Sequence, residues 1–222
     1  MTAVARPAGH SATSRGLGHG AGSRIGRPLL LGAGLAGLVA ARWAATVEGS
    51  VGALAVGLAF GAGLNALALA GGEPLRRPRA AGLSLARSLA TGAIAGAALV
   101  GLGITGWLTG AGAGSGPALG PGAWFSGGFG PWAAITVLVA TAEELVLRGA
   151  LFGAIWRASG VTAAVVATSA AFALIHVPLY GWHVVPLDLG VGLFLGGLRL
   201  MSGGVTTPAA AHTLADLATW WL

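Results

Sequence analysis

Seven apolar runs joined by short links constrain this chain more than any other feature. They cover roughly residues 29–45, 51–71, 88–110, 131–156, 161–180, 186–201 and 205–222, and a helix needs about 20 apolar residues to cross a bilayer. Charge is scarce between and within them. Of 222 residues, 12 are basic and 6 acidic, so 8% are charged, against about 25% in an ordinary soluble domain. So few charges cannot clothe a folded chain of this size in water, which excludes a water-soluble enzyme. The 41 glycines follow no three-residue period, which excludes collagen. A mean hydropathy of +0.81 does not fit a disordered chain. With no cysteine, disulfides, thiolate chemistry and cysteine-ligated metals are absent.

What remains is an all-α, polytopic transmembrane helical bundle with about seven spans, because lipid forces each segment to satisfy its own backbone polar groups. Residues 1–28, Gly-rich with Arg6, Arg15, Arg24 and Arg27, read as a disordered basic cytoplasmic tail. Residues 29–222 read as one transmembrane domain. The basic region is too long for a cleaved signal peptide, and the first run continues past Arg42, so this run is expected to stay as the first span. The positive-inside rule places the N-terminus in the cytoplasm, with the chain in the cell's inner (plasma) membrane. All basic residues are arginine, and only Arg42 and Arg148 depart from one side. Seven of the eight tryptophans fall on the other side, at Trp43, Trp107, Trp124, Trp132, Trp182, Trp220 and Trp221. A pI near 11.7 suits attraction to anionic lipid headgroups. Nucleic-acid binding is not expected, since the arginines are not interleaved with aromatics on a basic face.

Glycines four apart, Gly57/Gly61, Gly92/Gly96, Gly149/Gly153 and Gly192/Gly196, mark candidate helix contacts. Asn65 is expected to hydrogen-bond between helices, and 111–130 to form a mobile outer loop. Asp188, in the first turn of the sixth span, complements the helix dipole.

Glu143, Glu144 and Asp216 lie inside apolar runs, as do Arg148, His176 and His212. A charge at the bilayer centre costs about 2.5–3.5 kcal/mol even on the lenient insertion scale, so such groups face one another or a wet cavity. Glu144 and Arg148 are four apart with the acid first, the favourable order for an internal ion pair. Glu143 points about 100° away and is left without that partner, which suits a general base. At about 1.5 Å per residue, Glu143 and His176 lie about 21 and 22 Å from the inner ends of their spans, and His212 and Asp216 about 10 and 16 Å. His212 shares a face with Asp216, as Phe172 does with His176. A polar pocket built from three spans is therefore possible.

These residues resemble a family. Glu143-Glu144-x-x-x-Arg148, Phe172-x-x-x-His176 and His212-x-x-x-Asp216, in that order, are similar to the signature of the CAAX protease and bacteriocin-processing (CPBP) family. Its members are intramembrane proteases similar to the type II CAAX prenyl endopeptidase, and the resemblance covers roughly residues 131–220. It implies that Glu143 and His176 activate the attacking water. It further implies that His212 and Asp216 stabilise the oxyanion while Glu144 and Arg148 hold the site together. The family more usually has asparagine at position 216. An ionised aspartate would repel an oxyanion, so Asp216 is either protonated or orients His212.

The expected activity is peptide-bond hydrolysis of a membrane-associated peptide or protein substrate, lipid-modified if the family is a guide, in a bacterial membrane. The alternatives are a proton- or ion-coupled transporter or channel and a catalytically silent family member acting as a scaffold or immunity factor. No cofactor is expected. Zinc would have to use Glu143, His176 and His212, from three separate spans and without a His-Glu-x-x-His helix. A metal-free glutamate mechanism is preferred.

Overall fold

The computed structural model describes residues 21–48, 52–72, 82–108 and 127–221. The first 20 residues of the expected tail, most of the expected 111–130 loop and Trp124 lie outside these. Every regular element described is helical. In order they are α1 (Ala21–Glu48), α2 (Ala53–Ala70), α3 (Leu85–Leu108), α4 (Phe129–Glu144), α5 (Phe152–Ser159), α6 (Val161–Tyr180), α7 (Val185–Ser202) and α8 (Thr206–Ala218). A π-helical segment, Leu145–Leu151, joins α4 to α5 without a break, so α4 and α5 form one rod and the described residues make seven helical rods. α1 starts at Ala21, inside the segment expected as a tail.

Among the described residues, five helical stretches are long and apolar enough to cross a membrane: Ile25–Glu48, Ala53–Ala70, Leu85–Gly103, Val161–Tyr180 and Trp182–Ser202. The other two rods, α4–α5 and α8, carry Glu143, Glu144, Arg148, His212 and Asp216. The chain is a multi-pass membrane protein. Its exterior agrees with this: Leu30, Leu69, Ile94 and Met201 are each about three-quarters exposed, a cost that lipid removes and water would impose.

Small residues bring the rods together. A methyl group at Gly92 or Gly96 of α3 would meet the α8 backbone at Thr207 or Ala211, and one at Gly57 or Gly61 of α2 would meet Ile135 or Leu138 of α4. Gly149 has only ordinary contact with Val205. Among the described residues Asn65 bonds within its own helix, its Nδ2 donating to Gly61 O at 2.8 Å, and not across helices as expected. A short polar side chain back-bonds one turn up when no partner helix offers an acceptor.

Gly192 makes the close approach of α7 to α6. A Cβ there would lie 2.9 Å from Ser169 Cα and 3.1 Å from Ser169 O of α6. Gly192→Ala is expected to push α7 off α6 and cost about 1–3 kcal/mol, the usual overpacking range. Gly190, whose Cβ would meet open space, supplies the control. Thermal melting of the two alanine variants in detergent checks this, and equal melting would refute the close packing.

An aromatic cluster and four of the arginines mark opposite ends of the helices. Phe129 and Trp132 at the start of α4 cluster with Trp220 and Trp221 after α8, with ring centroids 5.0–6.0 Å apart. Arg27, Arg87, Arg157 and Arg199 lie near the helix termini at the other end. α7 stops there at Gly203, which takes a left-handed conformation (φ +69°) that costs glycine little. The turn into α8 does not reach the level of Arg157. Val205 packs on Gly149, eight residues and about 12 Å deeper along the α4–α5 rod.

Candidate active site

That inset turn decides where His212 sits. Counted from a common inner plane, His212 falls well short of Glu143. Because α8 starts deep in the bundle, His212 arrives beside both glutamates. Its Nδ1 lies 3.1 Å from Glu144 Oε1, and its Nε2 lies 4.0 Å from Glu143 Oε2 and 3.4 Å from Asp216 Oδ2. Both glutamates and His212 are buried. The Asp216 side chain, one turn further along α8, is 45% exposed.

Glu144 and Arg148 form the ion pair that their spacing calls for, at 2.7 Å with both side chains fully buried. Arg148 begins no new polar chain into lipid. Its Nη2 donates to Gly192 O at 3.1 Å, and its guanidinium lies 4.8 Å over the Phe172 ring. Glu144 Oε1 thus meets both Arg148 and His212, and as an ionised carboxylate it can accept from each. The pair stands at the junction of α4 and the π-helical segment, a local distortion often found at functional sites.

Phe172 of α6 connects the two histidines. Its ring packs edge-on against His176 at 4.8 Å and against His212 at 5.2 Å. Glu143, Glu144, Arg148, His212 and Asp216 therefore form one side-chain cluster from α4, the π-helical segment and α8, and Phe172 of α6 joins His176 to it. Among the described residues, no three His, Asp or Glu side chains are placed to hold a metal ion.

One participant was not visible as such in the sequence. Asp188 Oδ2 lies 3.0 Å from His176 Nδ1, with both side chains mostly buried, though off the line of an ideal N–H hydrogen bond. Asp188 does occupy the first turn of α7, where the dipole accounts for it, and no spacing rule links it to His176. Arg199 was likewise read only as a topology signal, yet its Nε donates to Arg148 O at 3.0 Å.

The chain chemistry is thus a buried carboxylate beside two histidines, braced by an ion pair, within a bundle of apolar helices. No curated protein and no solved structure matches this chain. A family model described as "Rce1-like: Type II CAAX prenyl endopeptidase Rce1-like" matches residues 125–218, the stretch that holds every residue of the pocket. On that match, residues 125–218 are similar to the type II CAAX prenyl endopeptidases of the Rce1-like family.

Proposed function

We propose that this protein is an intramembrane endopeptidase in which Glu143, assisted by His176, activates water for attack on a peptide bond. The observation that carries the reading is the meeting of Glu143 and His212, 69 residues apart in sequence, at 4.0 Å in a buried pocket. Three costly groups on separate helices gain little structurally from sharing a site. Hydrolysis gives them work to do.

In this reading Glu143 takes a proton from water as the hydroxide forms its bond to the scissile carbonyl carbon. His212 Nε2–H donates to the resulting oxyanion. With Nδ1–H held by Glu144, the ring must carry both protons to do this. The proton on Glu143 then passes to the leaving amine as the C–N bond breaks. Glu144 and Arg148 fix the rotamers of the pocket. No step uses a metal, and activity is expected to survive chelation, checked by metal analysis of the chelated protein.

A membrane substrate, lipid-modified or itself apolar, fits a site reached from within a bundle. A groove of about 650 Å³ between α1 and α6, lined by Leu35, Val39, Trp43, Leu174, Ile175 and Pro178, runs beside the helix that carries His176. The arginine-bearing end is assigned to the cytoplasm of a bacterial cell, with the protein in its inner membrane. The test is comparative proteomics of membranes containing the parent or Glu143→Gln. A precursor that accumulates uncleaved only in the variant identifies reaction and substrate together. Unchanged peptide patterns combined with ion flux through parent vesicles would assign the pocket to transport instead.

Asp216 provides a finer test. Its carboxylate faces Nε2, the atom assigned to the oxyanion, and so must yield when substrate binds. Asp216→Asn replaces one acceptor with a donor and is expected to raise the cleavage rate. A loss approaching the 10²- to 10³-fold range typical of a missing oxyanion donor would show instead that the carboxylate is needed to orient His212.

A further inference from the structure

We infer that Asp188 is the positioning residue for His176, held there by α7, which braces the whole pocket along one face. This rests on the hydrolytic reading above and adds a group that the three motifs do not contain.

His176 sits between two rings of its own helix. Phe172 is 4.8 Å away one turn before it, and Tyr180 is 5.9 Å away one turn after it. These rings limit the tilt of the imidazole but offer its Nδ1 no acceptor. Asp188 supplies a carboxylate oxygen at 3.0 Å. A modest turn of the imidazole brings the N–H bond into line. An ionised carboxylate can only accept, so it selects the ring form with hydrogen on Nδ1 and leaves Nε2 free to take or share a proton. The same logic operates where an aspartate fixes the tautomer and orientation of a catalytic histidine without itself being protonated.

The position of Asp188 on α7 explains why it can be rigid. Residues 188, 192, 195 and 199 fall on one face of a helix with 3.6 residues per turn. Along that face Asp188 meets His176, Gly192 O accepts from Arg148, Leu195 is fully buried, and Arg199 Nε donates to Arg148 O. Arg199 also lies over the Phe152 ring, with its guanidinium carbon 5.5 Å from the centroid. A single helix therefore ties the α6 histidine to the ion pair of the α4–α5 rod. Gly160 alone separates that rod from α6, so without α7 the two could splay.

The experiment uses full-length protein in lipid vesicles and a fluorogenic peptide copied from the mapped cleavage site. Asp188→Asn is expected to lower kcat about 10- to 100-fold, the range for an outer-shell partner, with KM little changed and melting preserved. Asp188→Glu should recover part of the loss, and Asp188→Asn should add nothing in a His176→Ala background. In parallel, ¹⁵N spectra of histidine-labelled protein should show one imidazole, identified by its absence in His176→Ala, shifting in Asp188→Asn. Parental kcat in Asp188→Asn, or an unshifted His176 signal, would overturn the inference. If Glu143→Gln stays active, the assignment of Glu143 as the general base fails, and the ¹⁵N spectra still decide whether Asp188 holds His176.

Discussion

Glu143→Gln protein, purified and reconstituted, is expected to lose peptide-bond cleavage by about 10²- to 10⁴-fold, the usual contribution of a positioned general base. The substitution is nearly isosteric, so the fold should tolerate it. Glu143 is buried, with His212 Nε2 at 4.0 Å from its Oε2. Melting close to the parent together with lost turnover would separate chemistry from stability. Glu144→Gln makes an informative companion, because it should disturb both the ion pair and His212 Nδ1. If Glu143→Gln retains parental turnover, the water-activating role belongs elsewhere, and His176 with Asp188 becomes the first place to look.

The second large effect concerns stability. Arg148→Ala is expected to cost about 3–5 kcal/mol, the penalty for leaving one partner of a buried pair uncompensated. Arg148 is fully enclosed. It donates to Glu144 at 2.7 Å and to Gly192 O at 3.1 Å, and it covers the Phe172 ring. Removing it strands the Glu144 charge in an apolar interior and frees a backbone carbonyl of α7. Arg148→Lys should recover little, since a single ammonium cannot reach both acceptors with the geometry of a planar fork. The double variant Glu144→Leu/Arg148→Met, by contrast, should keep most of the melting temperature while losing the support for His212. The measurement is thermal unfolding in detergent, read beside membrane abundance. Melting of Arg148→Ala at the parental temperature would show that the pair is not structurally required.

Much of the architecture was legible because lipid leaves few options. Long apolar runs must be helices, and arginines and tryptophans sort to opposite ends by solvation. The glutamates at 143 and 144 were separable for a similar reason. A four-residue step puts Glu144 under Arg148, whereas a five-residue step does not do so for Glu143. All of these are local rules, in which the helix repeat fixes direction. The Glu144–Arg148 pair stands as that repeat requires.

Register between rods was not legible. The depth count left His212 short of Glu143, because nothing in the residues announces that the Gly203–Val205 turn sits on Gly149. Asn65 was assigned across helices and bonds within its own, since only packing reveals whether a neighbour offers an acceptor. Asp188 had a sufficient local explanation in its helix dipole, which hid its contact with His176.

By itself, then, the sequence determined the solvent, the helical class, the order of the rods and which side chains are too costly to be idle. Each of these follows from transfer free energy and from a periodicity within one segment. Only the tertiary structure decided which costly groups meet, how deep α8 begins and that α7 braces both α6 and the ion pair. Those outcomes depend on how closely glycine-bearing helices approach and slide, a balance of contacts between distant segments that no local pattern encodes.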